Sequence, residues 1–73
     1  MVIRQVELTF PIECKNEPIF HYISSHFEVI PNIVEASFST EMGWAIVRFE
    51  AEEAELTRLF DFLIDKGVKI EPC

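Results

Sequence analysis

The apolar residues of this chain recur with two different spacings, and the spacing changes several times along the sequence. Alternating apolar and polar residues predict half-buried β-strands, whereas apolar residues three or four positions apart predict amphipathic helices. The predicted segments, in chain order, are a strand at Ile3–Phe10, a helix at Glu17–Phe27, strands at Ile33–Ser39 and Trp44–Glu50, a helix at Ala51–Lys66 and a strand at Val68–Glu71. This β-α-β-β-α-β order predicts a four-stranded antiparallel sheet with two helices on one face, the ferredoxin-like arrangement of the α+β class.

Proline, asparagine and glycine mark the ends of these segments. Pro11 is expected to end the first strand, because a proline cannot donate a hydrogen bond to a neighbouring strand. Asn16 is expected to cap the first helix, whose first turn contains Pro18. Gly67 is expected to end the second helix in a left-handed conformation. With 73 residues, the chain is long enough for one domain, residues 1–73.

The alternation also assigns side chains to the two faces of the sheet. The side chains of the second strand expected to face the helices are those of Val34, Ala36 and Phe38. The side chains expected on the open face are those of Ile33, Trp44, Ile46 and Arg48. Apolar residues make up 49% of the chain, more than so small a monomer is expected to bury. We therefore expect a homodimer whose interface includes Trp44 and Ile46.

The net charge of −7 excludes two classes of partner. Nucleic-acid binding depends on Lys and Arg side chains that neutralise phosphates, so no nucleic-acid partner is expected. Anionic membrane surfaces attract basic segments in the same way, so binding to such a surface is not expected either. Because the sequence also contains no transmembrane run and no signal peptide, we expect a cytoplasmic protein that does not insert into a membrane.

The sequence offers little support for an enzyme or a metalloprotein. Cys14 and Cys73 do not form a CxxC motif, so we expect free thiols, no metal ligands and no cofactor. His21 and His26 lie five residues apart on a helix, where both are expected to be exposed. The loop at residues 11–16 contains no arginine, although acylphosphatases of this architecture need one there. We therefore expect no catalytic residues.

Asn32 is the candidate binding residue that the sequence itself suggests. It follows Pro31 at the start of an apolar strand, and its amide can both donate and accept hydrogen bonds. Such an amide can bind the charged groups of an amino acid at a seam between two domains. It can equally cap its own turn through a local hydrogen bond. The residues alone leave both roles open.

The chain resembles the NIL domain family, which is named for an Asn-Ile-Leu signature. The matching tripeptide here is Asn32-Ile33-Val34. The resemblance extends to the opening strand at residues 6–10, the helix start at residues 17–19, Gly43 with the strand that follows it, and residues 62–70. It therefore covers nearly the whole chain, through short motifs in a shared order.

The resemblance implies a regulatory role connected with methionine. NIL domains occur on the ATPase subunits of methionine importers, where they pair, bind methionine and restrain transport, and also beside iron–sulfur cluster domains. By position, this implies ligand contacts by Asn32, with Ile33 and Gly43 near the site. Two functions follow: a homodimer that binds L-methionine or a related amino acid, or an adaptor for a protein of sulfur or iron–sulfur metabolism. The chain itself contains neither an ATPase nor a Cys-rich cluster segment, so a transporter or iron–sulfur partner would be contacted in trans.

Overall fold

A computed structural model of the chain describes residues 1–14, 18–39 and 42–73. Its elements are β1 (Val2–Phe10), a 3-10 turn (Ile12–Cys14), α1 (Ile19–His26), β2 (Ile30–Phe38), β3 (Gly43–Ala51), α2 (Glu53–Asp65) and β4 (Lys69–Pro72). The strands form one sheet in the order β2-β3-β1-β4, and all neighbouring strands are antiparallel. The predicted α+β, ferredoxin-like fold is confirmed.

The hydrophobic core lies between one face of the sheet and the two helices. The alternating residues of the two central strands that are buried there are Val6, Leu8 and Phe10 of β1 and Ala45, Val47 and Phe49 of β3. The helices contribute the residues of their apolar stripes, which include Ile19 and Ile23 of α1 and Leu56, Leu59 and Leu63 of α2. Neither helix covers the opposite face of the sheet, which is the open face.

The ends of the helices differ slightly from the prediction. α1 begins after Pro18, which makes no side-chain capping hydrogen bond. The predicted cap, Asn16, lies outside the described residues. α2 begins two residues later than predicted, because Ala51 still pairs with Val2 as the last residue of β3. Gly67 has a φ of 90°, so the predicted left-handed end of this helix is confirmed.

The predicted position of Ile33 on the open face is wrong. Ile33 pairs with Val47, which is fully buried beneath the helices, and paired residues of antiparallel strands project to the same side. The cause is a β-bulge, in which Val34 is an extra residue without a partner in the β2–β3 ladder. Ala36 and Phe38, which follow the bulge, pair with buried positions of β3 and face the helix side as predicted.

The two edges of the sheet differ in length and chemistry. β4 has only four residues and carries the charged Lys69, and a short, charged edge discourages further strand pairing. β2 has nine residues, none of them buried, and Ile33 and Phe38 are 51% and 60% exposed. Pro31 is tolerated in β2 because an edge strand leaves part of its backbone unpaired. The sheet therefore presents one long, largely apolar edge.

Candidate functional site

Three polar side chains form a row across the open face of the sheet. Asn32 of β2 pairs with Arg48 of β3, and Arg48 pairs with Gln5 of β1. Arg48 donates hydrogen bonds from Nε and Nη2 to Oε1 of Gln5, at 3.2 and 2.9 Å. Gln5 therefore holds the guanidinium in place while Asn32, which is exposed, lies beside it at the edge of the sheet.

The guanidinium of Arg48 is not paired with a carboxylate of residues 1–14, 18–39 or 42–73. The other two arginines do form such pairs: Arg4 contacts Glu53 at 2.7 Å, and Arg58 contacts Glu55 at 2.9 Å. Arginine presents several N–H groups in a planar fork that matches a carboxylate. Arg48 is exposed, and no carboxylate of the described residues pairs with its guanidinium. It is therefore suited to bind a carboxylate that does not belong to the chain.

The neighbours of Arg48 add charge and apolar surface to this row. Glu50 and Ile46 each lie two residues from Arg48 along β3, on the same face and about 7 Å away. Glu35 pairs with Ile46 from the β2 side of the sheet. The half-buried side chain of Ile46 thus lies between Glu35 of β2 and Glu7 of β1, with Arg48 next to it along β3.

Gly43 lies far from this row. It pairs with Phe38 at the opposite end of β3, five residues from Arg48, or about 17 Å along the strand. Ile33 is adjacent to Asn32 in the chain but faces the helix side. Of the three ligand-binding positions implied by the resemblance, the structure therefore places only Asn32 on this polar row.

Gly43 instead borders an apolar cleft of about 320 Å³ at the end of the sheet. The described residues that line the cleft are Phe10, Pro11, Cys14, Pro18, Ile19, Phe20, Phe38, Ser39, Met42 and Gly43. None of them is charged, and the Ser39 hydroxyl already donates a hydrogen bond to the Met42 carbonyl at 3.0 Å. The described lining residues therefore offer no charged side chain to the ammonium and carboxylate of a bound amino acid.

A family model described as the NIL domain matches residues 4–72 of the chain. The chain belongs to the NIL domain family. NIL domains are small regulatory domains. No curated protein matches this one. The family match covers every described strand and helix except the first two residues of β1, and it includes the row formed by Asn32, Arg48 and Gln5.

Trp44 and Ile46 lie half-buried on the open face of this NIL domain. The carboxylates that share that face in the paired strands are Glu7, Glu35, Glu50 and Glu71. Packing two such faces together would bring like charges close, which opposes association. The role of Trp44 and Ile46 in an interface stays a prediction.

The remaining candidate residues of the NIL domain are distributed over its surface and core. His21 and His26 are exposed on α1. Cys14 is buried and Cys73 is exposed, and neither forms a disulfide. Within residues 1–14, 18–39 and 42–73, no cluster of three or more His, Cys, Asp or Glu side chains is arranged to hold a metal ion. Neither helix of that part of the chain is long and apolar enough to cross a lipid bilayer.

A second polar cluster links the two helices of the NIL domain. Arg58 donates from Nε and Nη2 to the Glu55 carboxylate, and the backbone N–H of Glu28 donates to the same carboxylate at 2.7 Å. These hydrogen bonds, chiefly those from Arg58, lower the pKa of Glu55 to about 2. Arg58 also donates to the carbonyl of His26 and lies 4.5 Å over the ring of Phe27. Because every partner belongs to the protein, this cluster serves to attach α2 to the end of α1.

Arg48 and Gln5 were not among the candidate site residues predicted from the sequence. The alternation of β3 does place Arg48 on the open face, so its exposure was predictable. Its position beside Asn32 was not, because the register of β2 depends on the bulge at Val34. Gln5 becomes relevant only because β1 lies next to β3 in the sheet.

Proposed function

We propose that this NIL domain is a non-enzymatic regulatory domain that forms a homodimer along β2 and binds L-methionine or a close relative on its open face. The observation that carries the proposal is the pairing of the signature residue Asn32 with Arg48. This pair combines an exposed amide and a guanidinium held by a neutral side chain, at the edge where a second copy would join.

The polar row offers a partner for each group of a free amino acid. The carboxylate would accept hydrogen bonds from Arg48 and from the amide of Asn32. The ammonium would lie in the negative field of Glu50 and Glu35, which flank Arg48 and Asn32 on the same face. The apolar part of the ligand would cover Ile46. Among the amino acids, methionine suits such an irregular, half-open apolar surface, because its thioether side chain is flexible.

The edge of the sheet supports the homodimer. Strand pairing between two copies of β2 would satisfy backbone groups that are otherwise left to solvent. It would also bury the exposed side chains of Ile33, Val34 and Phe38. The open face supports association less well, because its carboxylates would meet in a second copy. We therefore place the seam of the dimer along β2 and expect Trp44 and Ile46 to lie beside the ligand.

The same exposed edge favours a second candidate function. An edge strand of nine residues can receive a strand from a different protein as readily as from a second copy. In that case the domain is an adaptor, and its partner is a transporter or an iron–sulfur protein of sulfur metabolism. Binding of a metabolite would then be absent.

Ligand-dependent stabilisation distinguishes the two functions. A thermal melt with millimolar L-methionine is compared with melts in alanine and leucine. Ligand at ten times its Kd adds about 1.4 kcal/mol, which corresponds to an increase in Tm of about 6–11 °C for a domain of this size. A methionine-selective increase of that order, lost in Asn32→Ala, supports the regulatory domain. A Tm that does not change at saturating methionine would contradict it and favour the adaptor.

A further inference from the structure

We propose that the open face of the sheet is a docking surface for a basic amphipathic helix of another protein. The apolar stripe of that helix would rest on Trp44 and Ile46. Its flanking Lys or Arg side chains would lie against Glu7 and Glu35. The proposal goes beyond the proposed function, because it assigns a protein partner to the face of the sheet, and a single copy of the domain is sufficient for it.

The middle of the open face carries apolar surface that neither helix covers. Trp44 and Ile46 project from β3 about 7 Å apart, and both are half-buried. Further along the strand, Ile3 and Ile30 pair with Glu50 from its two sides and are 58% and 56% exposed. Exposed apolar patches mark interaction sites, and aromatic side chains are enriched in the cores of protein interfaces. The open face therefore has the apolar centre of a docking surface.

Carboxylates flank this apolar centre on both sides. Glu7 of β1 and Glu35 of β2 each pair with Ile46. Glu71 of β4 is the next residue outward, because it pairs with Glu7, and like charges directly opposite each other destabilise a sheet. In the part of the chain that the structure describes, none of these three carboxylates forms an ion pair. Cations of a partner protein would relieve the repulsion, whereas a second copy of the domain would add to it.

The width of the apolar centre fits one helix. The Cα atoms of Glu7 and Glu35 lie two strand spacings apart, about 10 Å, which is close to the diameter of an α-helix with its side chains. A helix lying along β3 would therefore rest on Ile46, with its two sides above the two carboxylates. Lys and Arg side chains on those sides can bury their methylene groups against the apolar surface and extend their charges to the carboxylates.

The proposed amino-acid site uses part of the same surface. The guanidinium of Arg48 lies two residues from Ile46 on β3, so the basic side chains of the partner must surround Ile46 rather than follow the whole strand. A helix over Ile46 would also cover the place assigned to the apolar part of methionine. Helix and methionine would therefore exclude each other. This exclusion rests on the proposed function, whereas the docking of the helix does not.

Trp44 makes the docking measurable, because it is the only tryptophan of the chain. The probe is a capped synthetic peptide of about 14 residues, which as a helix spans the roughly 20 Å from Trp44 to Glu50. Its leucines are spaced three and four residues apart, and lysines flank that stripe on both sides. The expected result is a saturable decrease in acrylamide quenching of Trp44, with a Kd below about 1 mM. The same peptide with glutamates in place of the lysines is expected not to protect the indole.

Paired charge substitutions locate the contact. Glu7→Gln combined with Glu35→Gln is expected to raise the Kd of the lysine peptide at least about threefold, since two exposed ion pairs are lost. The matched control is Asp61→Asn combined with Asp65→Asn, which removes the same charge from exposed positions of α2. Because salt screens charges at that distance, the control is expected to leave the Kd within about twofold. Equal increases in the two variants would overturn the docking surface, since only the net charge would then attract the peptide.

A matched pair of apolar substitutions tests the centre of the surface. Ile46→Thr keeps a β-branched side chain in the strand and is expected to raise the Kd about fourfold, the effect of roughly one buried methylene group. Ile64→Thr is the control, because Ile64 lies on α2 and is 61% exposed. A Kd that rises in the control but not in Ile46→Thr would overturn the docking surface.

Two further outcomes separate this proposal from the amino-acid site. A lysine peptide that leaves the quenching of Trp44 unchanged at millimolar concentration overturns the docking surface, and the methionine melt is not affected by that result. With L-methionine at millimolar concentration, the apparent Kd of the peptide is expected to increase. A Kd that methionine does not change would support the docking surface and overturn the placement of the amino-acid site on the open face.

Discussion

Asn32 and Arg48 lie directly opposite each other in the β2–β3 ladder, on the face of the sheet that neither helix covers. Two hydrogen bonds to Gln5 restrain the guanidinium, and no carboxylate in the part of the chain that the structure describes pairs with it. This relationship provides an exposed amide and an exposed cation side by side at the edge of an acidic protein. The two residues form the polar part of the candidate site.

Removing the charge of Arg48 is expected to weaken methionine binding. A hydrogen bond to a charged group contributes about 1.5–3 kcal/mol, so Arg48→Gln should raise the Kd roughly 10- to 150-fold. Lys69→Gln is the matched control, because Lys69 lies on the same open face on β4 and its removal changes the net charge equally. Calorimetric titration of both variants measures the effect. Equal losses in the two variants would show that only the overall charge matters.

A charge at Ile33 is expected to dissociate the proposed β2 homodimer. Ile33 is half exposed in a single copy, so Ile33→Glu should leave the folded monomer intact but would bury a carboxylate in an apolar seam along β2. The dimer dissociation constant, from sedimentation or light scattering over a concentration series, should increase at least about tenfold. Trp44→Glu is the companion variant, and its dimer should persist. A dimer lost only in Trp44→Glu would place the interface on the open face.

Neutralising Glu35 is expected to strengthen the same dimer. Glu35 lies near the middle of β2 on the open face, so the carboxylates of two copies would be neighbours in the proposed β2 homodimer. Like charges on adjacent strands destabilise pairing by roughly 0.2–1 kcal/mol. Glu35→Gln should therefore lower the dimer dissociation constant, and added salt should lower that of the wild type through screening. Glu71→Gln on the short β4 edge is the control, and a larger effect there would contradict the seam along β2.

A side chain at position 43 is expected to destabilise the fold, because it would clash with the ring of Phe38. A Cβ built on Gly43 would overlap Cδ1 of Phe38 and lie 2.7 Å from its Cε1, and the Phe38 ring packs 5.8 Å from that of Phe10. Gly43→Ala should lower the free energy of unfolding by about 1 kcal/mol, in the range of strained small-to-large changes. This corresponds to a decrease in Tm of about 4–8 °C.

A Phe38→Ala background tests whether the Phe38 ring causes the loss of stability in Gly43→Ala. There the overlap is gone, and an alanine is favoured over glycine within a strand by about 0.5–1 kcal/mol. Gly43→Ala should therefore be neutral or stabilising in that background. Denaturant titrations of the four proteins complete the cycle, and an equal loss in both backgrounds would exclude Phe38 as the cause.

The Glu55–Arg58 cluster is expected to make stability depend on pH in the acid range. The pKa of Glu55 is lowered from 4.5 to about 2 in the folded protein, first by the hydrogen bond from Arg58 and then by that from Glu28. The stabilisation is therefore complete above pH 4.5 and is lost as the pH falls towards 2. The difference in unfolding free energy between the wild type and Glu55→Gln should shrink over that range. In an Arg58→Met background, the change in unfolding free energy caused by Glu55→Gln should depend less on pH. An equally large pH dependence in that background would exclude Arg58 as the main cause of the lowered pKa.

The sequence by itself determined the order of elements and most of the faces. Strict alternation in β1 and β3 and the apolar stripe of α2 follow from the periods of strands and helices, so these elements were predicted within one to two residues. Gly67 ends α2 because a left-handed conformation favours glycine, which is a local property of the chain. The family was likewise identified from short motifs along the sequence.

Only the tertiary structure decided which residues meet across the sheet. The extra residue at Val34 moves Ile33 to the helix side, and nothing in the local alternation reveals a bulge, which is defined by the register of two strands. The proximity of Gln5, Arg48 and Asn32 requires β1, β3 and β2 to be consecutive in space, although 43 residues separate Gln5 from Arg48. Gly43 and Asn32 were expected to be near each other, but a strand rises about 3.3 Å per residue and holds them at opposite ends. Periodicity sets the local shape of a chain, whereas strand register sets the neighbours that form a site.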